Sequence, residues 1–321
     1  MSNFVIGISH ILVSIVPGNL ENILKKLKEL KIKPGNSVHI NNELQRFLKT
    51  QITHIKNISN SSFIPIKILS QYDIPVHFFG DVGADEADFI KESLFMENIP
   101  FTLEVLKEHE NLLKYICEYD DETYTLFAGP KLYSFSLDFL QKHILSITTS
   151  KIIIHSNYSL VYTRELSEFI LKNIKNDQIL LFDLLYQCKK ELYDDLFIKF
   201  YDRADIIFGS LTEIKNLYEY IYGTKCENIT DIVVELASGK KKVVCINGEE
   251  SLICSDETNS YQINIDEIKL KNMKSFSREG LLISGFLFGM NKNLSFLECI
   301  EKSIELSKEW TDRLNNDEKL V

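Results

Sequence analysis

No pair of cysteines in this chain has the spacing of a metal or redox motif. The six (Cys117, Cys188, Cys226, Cys245, Cys254 and Cys299) are scattered. In a chain this long they read as buried thiols of a reducing compartment. No apolar run reaches the roughly 18 residues that a membrane-spanning helix needs. Met1-Ser2-Asn3-Phe4 lacks the charged segment and apolar run of a secretory leader. The expectation is a cytoplasmic protein with no membrane contact. Basic charge is also short: 36 Lys and Arg stand against 46 Asp and Glu, a net charge of −10. That disfavours broad nucleic-acid binding, which takes a basic surface. Lys240-Lys241-Lys242 reads as a solvated turn. There is no GxxxxGK[ST], so no P-loop. None of the seven histidines (10, 39, 54, 77, 109, 143, 155) forms a ligand-spaced pair, so no metal site is expected. His77 and His155 sit in apolar strands and read as core histidines. With no repeat and no low-complexity linker, the chain reads as one unit, residues 1–321.

What is present is an α/β rhythm. Residues 4–16 are apolar and β-rich, a strand. Leu20, Ile23, Leu24, Leu27 and Leu30 repeat at helical spacing. Helices follow at 41–49 and 60–70, then a buried strand at 76–80 and a helix at 87–96. Residues 101–105 and 114–127 look like strands outside the main rhythm. From residue 150, strand and helix alternate regularly: strands at 151–155, 178–183, 204–209 and 242–246, helices at 163–175, 191–202, 212–222 and 230–237. Strands at 251–254 and 261–265 precede two closing helices, 281–290 and 296–314. Such alternation predicts a mostly parallel sheet covered on both faces. Ligands of such sheets sit beyond the carboxyl ends of the strands.

The order of landmarks resembles adenosine kinases, members of the ribokinase-like (PfkB) family, across nearly the whole chain. Leu30 to Asn36 with Glu43-Leu44 and Phe47-Leu48 is similar to their lid-side segment. Phe78-Phe79-Gly80-Asp81-Val82-Gly83-Ala84-Asp85 matches FxGxxGxD. Ser210-Leu211-Thr212-Glu213 falls at the NxxE motif. Val243 to Gly248 falls at the strand and glycine near the nucleotide. Ser284-Gly285-Phe286-Leu287 matches the end of the signature helix. The resemblance implies a three-layer sandwich with a small β lid, formed by about 10–50 and 100–128.

The family signature DTxGAGDxFxGGF falls on residues from Lys274 onward, and here its chemistry is missing. Lys274 replaces the first Asp. Ser277, Arg278 and Glu279 replace Gly-Ala-Gly. Gly280 replaces the Asp that the family uses as base on the 5′-hydroxyl. Glycines let backbone N–H groups approach the transferring phosphoryl at a helix N-terminus, and the Asp takes the hydroxyl proton. A lost base costs roughly 10²–10⁴ in rate, and a lost oxyanion donor about 10²–10³.

Other positions depart similarly. Leu12 stands near the ribose-gripping Asp. Ile55-Lys56 falls at the Gly-Gly pair, with Asn60 kept behind it. Asp120-Asp121-Glu122 replaces a segment with a phosphate-facing Arg. Ser210 replaces the Asn of NxxE, while Glu213 remains, equally suited to a helix first turn. The resemblance thus implies a vestigial nucleotide site near Glu213, Asn247 and Gly248, and a vestigial nucleoside site near Leu12, Ile55, Lys56 and Asn60. The first expectation is a catalytically inactive adenosine-kinase-like protein that needs no cofactor and binds a protein or ribonucleoprotein, the ribosome being one candidate. The lid aromatics Tyr115, Tyr119, Tyr124 and Phe127 are its candidate contact surface. The alternatives are a divergent nucleoside or sugar kinase using ATP and Mg²⁺, with Asp183 or Glu279 as base, and a nucleoside sensor without turnover.

Overall fold

A computed structural model describes residues 4–16, 20–34, 37–51, 55–59, 62–119, 122–129, 136–184, 193–248, 250–265 and 278–317. Two sheets organise them. In the main sheet, β1 (Val5–His10), β5 (Val76–Gly83), β6 (Phe101–Leu106), β9 (Ile152–Ser156), β10 (Ile179–Asp183), β11 (Ile206–Ser210) and β12 (Lys242–Asn247) run parallel. Their order is β12-β11-β10-β9-β1-β5-β6, and β13 (Ser251–Ser255) and β14 (Ser260–Asn264) continue past β12 as antiparallel strands. The central strands are apolar at nearly every position because both faces are buried. Val5, Ile154, Leu181, Phe208 and Val244 face one helical layer, while Ile6, Ile153, Phe182, Ile207 and Val243 face the other.

The smaller lid sheet has the order β3-β8-β7-β2-β4, from β2 (Leu12–Val16), β3 (Ser37–His39), β4 (Ile55–Ser59), β7 (Leu113–Tyr119) and β8 (Glu122–Ala128). Three differences from the sequence reading follow. Residues 4–16 form two strands, parted at Ile11, that enter different sheets. Residues 101–106 pair with β5 and belong to the main sheet, not the lid. Strands at 37–39 and 55–59 were not read at all, because short segments such as Ile55-Lys56-Asn57-Ile58-Ser59 carry too little pattern. The five-residue linkage between apolar strand and apolar strand at residues 10–12 hides a change of sheet that periodicity does not register.

Helix α12 (Arg278–Asn291) is buried on almost every face, from Gly280 to Leu287. It packs against α13 (Phe296–Asp317) along a seam of small residues. A Cβ on Gly285 would lie 2.5 Å from Ser303 Cα, and one on Gly289 2.9 Å from Cys299 Cα. Glycine at these positions lets the two backbones close together. Ser303 Oγ donates to the Leu282 carbonyl across the seam. Helix α12 is thus set rigidly against the carboxyl ends of the main sheet.

Candidate functional site

The carboxyl ends of β10, β11 and β12 meet the start of α12, and four expected site residues gather there. Glu213 lies in the first turn of α10 (Leu211–Tyr222), directly after β11. Its carboxylate accepts from Ser210 N at 2.9 Å and from Ser210 Oγ at 2.8 Å, while Ser210 Oγ accepts from Glu213 N at 3.4 Å. This is a reciprocal capping box. Ser210 at the Asn position is what creates it, since a short hydroxyl side chain is a strong helix cap. Asn247 ends β12 and its amide donates to Ser251 Oγ at 3.3 Å. Gly248 follows with φ of 57°. The Arg278 guanidinium, from the first turn of α12, donates to the Gly248 carbonyl. Two positions of the expected nucleotide site are therefore joined to each other.

Gly280 is buried in the first turn of α12, and its carbonyl accepts from Ser284 Oγ. It has no side chain with which to take a proton. Ser277 lies outside the described residues. Glu279 precedes Gly280, where the helix dipole favours an acid. Lys114 of β7 faces it across the lid. Burial lowers the pKa of the Lys114 amine below the ordinary lysine range, and the Glu279 charge opposes that fall. Asp183 ends β10 and is 0% exposed. It shares a register row with Phe208, whose ring meets Phe286 of α12 edge-on at 5.4 Å. Asp183 therefore lies on the α12 side of the sheet.

The expected nucleoside residues do not gather. Leu12 pairs with Ser59, whereas Ile55 pairs with Val16, at the opposite end of the same ladder. Four residues of strand separate them, about 13 Å. Their side chains, and Asn60 entirely, lie outside the described residues. Lys56 turns to the main body: its amine donates to both Glu86 carboxylate oxygens at 2.7 and 2.9 Å.

The lid aromatics are a correction. Tyr115, Tyr124 and Phe127 are 0%, 2% and 4% exposed. Tyr115 and Tyr124 point to the face of the lid sheet that packs with Ile15, Leu24, Leu44 and Leu48. They fill a core, because a five-stranded sheet carrying helices on one face must bury that face. The Tyr119 side chain lies outside the described residues. His155 is a core histidine, stacked on Phe200 at 4.7 Å and bonded to Ser167 Oγ at 2.8 Å; burial pushes its pKa down to about 3.

Among the described residues, no three His, Cys, Asp or Glu side chains gather as a metal site. The donors present do not fit a nucleotide-bound metal well, since Glu213 is engaged in a helix cap. No described helix is long and apolar enough to cross a membrane.

No family model and no curated protein matches the chain by sequence. Solved structures do match, nearly end to end. Adenosine kinase from Schistosoma mansoni in complex with 2-fluoroadenosine aligns with a TM-score of 0.80, covering 96% of this chain and 95% of that one at 12% identity. The apo adenosine kinase of Trypanosoma brucei brucei gives 0.78, covering 97% and 99% at 13% identity. A probable sugar kinase from Rhizobium etli gives 0.76, covering 96% and 93% at 14% identity. The class is thereby defined: this is the ribokinase-like α/β fold. Within that class, the chain is similar in structure to adenosine kinases over its whole described length.

Proposed function

We propose that this chain is a non-catalytic relative of adenosine kinases that acts by binding a protein or ribonucleoprotein partner, the ribosome being one candidate. The observation that supports the reading most is the start of α12. Arg278-Glu279-Gly280 opens the helix with a buried glycine at the base position and a carboxylate where the transferring phosphoryl would gather negative charge. Phosphoryl transfer is almost entirely positioning and electrostatic stabilisation. A fold that keeps its frame and lacks those groups is suited to recognition. The capping role of Glu213 supports the same reading, because a carboxylate engaged by the helix start is poorly placed to order metal and water.

One observation favours a second reading, a divergent nucleoside or sugar kinase that uses ATP and Mg²⁺. Asp183 is a buried carboxylate on the α12 side of the sheet, at the ligand end of β10. A base has to reach the hydroxyl it deprotonates, to within about 3 Å.

Two measurements decide between them. Sucrose-gradient sedimentation of native extract locates the protein, and thermal-shift titration with adenosine, AMP and Mg²⁺–ATP tests the cleft. The binding-factor reading expects co-sedimentation with a large particle and no shift at millimolar ligand. Sedimentation as a free protein, with ligand-induced stabilisation, supports the kinase reading instead.

A further inference from the structure

We infer that the lid sheet is latched to the main body through Glu86, so that the lid holds one orientation rather than swinging. The chain crosses between the two sheets at two places, and both are tied to the end of β5. The first crossing is the single residue Ile11, whose N–H donates to the Asp81 carbonyl at 3.2 Å. The second is Asn111-Leu112, just before β7. The buried Asn111 side chain donates to the carbonyls of Ile11 and Leu112, both at 3.1 Å, and accepts from Gly83 N at 3.0 Å. Its own N–H donates to Asp85 Oδ1 at 2.7 Å. Both crossings are thus bound to one another and to the main sheet. Hinge residues must absorb changes in φ and ψ, and these have their hydrogen bonds committed.

The third tie is remote from the crossings. Strand β4 is the outer edge of the lid sheet, next to β2. Lys56 leaves it to meet Glu86, the residue before α4 (Ala87–Met96) of the main body. The Lys56 amine also lies 5.6 Å from the centre of the Phe89 ring on α4. Lys56, Ile15 and Tyr115 share one register row of the lid. The Tyr115 hydroxyl is buried without a hydrogen-bond partner, and burial together with the Glu86 charge pushes its pKa up to about 12. Glu86 therefore faces the lid at two points, as an acceptor for Lys56 and as a neighbouring charge for Tyr115. Removing one partner of a buried ion pair leaves an uncompensated charge, so swinging β4 away from Glu86 is disfavoured. Two crossings pinned at β5 and a distant ion pair at β4 hold the sheet at three points. The latch is independent of whether the cleft catalyses anything.

Hydrogen–deuterium exchange of the intact protein, read by mass spectrometry, tests it. In the wild type, Leu12–Val16 and Ile55–Ser59 should exchange in the same slow class as Val5–His10. Glu86→Gln should speed exchange in both lid strands by about tenfold or more, the signature of local opening, while Ile179–Asp183 keeps its wild-type rate. The swap Lys56→Glu with Glu86→Lys should restore lid protection. The latch is overturned if the wild-type lid strands already exchange far faster than β1. It is equally overturned if Glu86→Gln leaves the lid strands unchanged, or speeds Ile179–Asp183 as much as the lid.

Discussion

Replacing Glu213 with Ala separates a helix cap from a metal-ordering carboxylate. In the structure the carboxylate accepts two hydrogen bonds from Ser210, at 2.9 and 2.8 Å, and is almost fully buried. The substitution removes both and leaves the Ser210 N–H without this acceptor. Loss of a cap costs about 0.5–2 kcal/mol, and hydrogen bonds to a charged group weigh at the upper end of the usual range. A loss of about 1–2 kcal/mol is expected, which in a large domain lowers Tm by about 2–4 °C. Glu213→Gln keeps an acceptor oxygen and should lose about half as much. Ser210→Ala should match Glu213→Ala, because the two residues form one reciprocal unit. Urea denaturation with and without Mg²⁺ is the assay. The cap account expects the same loss in both conditions. It is refuted if Glu213→Ala keeps wild-type stability in the absence of Mg²⁺ while abolishing a Mg²⁺- or ATP-dependent stabilisation.

Further outcomes follow from the same geometry. Gly285→Ala places a methyl 2.5 Å from Ser303 Cα; overpacking of about 1–3 kcal/mol should outweigh the helix-propensity gain of up to about 1 kcal/mol, and thermal melting will show a lower Tm. Lys114→Met removes an amine whose charged form is disfavoured by burial. Because the folded pKa is lowered, the native state binds the proton less readily than the unfolded chain, so stability falls as pH drops through the lysine range; the Met variant should be at least as stable as wild type at pH 7, and its stability should change less between pH 10 and 7. His155 has its folded pKa lowered to about 3 from 6.5. Its contribution is present above about pH 6.5 and is lost as pH falls toward 3, so His155→Phe should flatten that part of the acid limb in pH-dependent denaturation, provided the ring still stacks on Phe200.

The main sheet was legible because its signal is long-range and regular. From residue 150 onward strands and helices alternate, and helices such as 87–96 and 212–222 matched the structure within a residue or so. The lid was harder to read. Strands at 37–39 and 55–59 are short and partly polar, and the change of sheet at Ile11 leaves an unbroken apolar run. At the site, the fate of Glu213 was readable as a first-turn acid, and the structure supplies its reciprocal bond with Ser210. The Arg278 contact with Gly248 joins residues 30 apart in sequence, which local pattern does not register. Asn111 was missed altogether. A single Asn before an apolar strand gives no periodic signal, although it ties together Ile11, Gly83 and Leu112. The alternating lid aromatics were correctly strand-like, but alternation does not say which face is covered, and helices α1 (Leu20–Glu29) and α2 (Asn42–Gln51) cover the face carrying Tyr115 and Tyr124.

The central claim is that the frame of a nucleoside kinase persists here without its phosphoryl-transfer groups. The most direct test is transfer of labelled phosphate from Mg²⁺–ATP to adenosine by the purified protein, run beside its Asp183→Asn variant. The account predicts no transfer above the uncatalysed background in either protein. Turnover near that of ordinary nucleoside kinases, lost in Asp183→Asn, would contradict it and assign the base to Asp183.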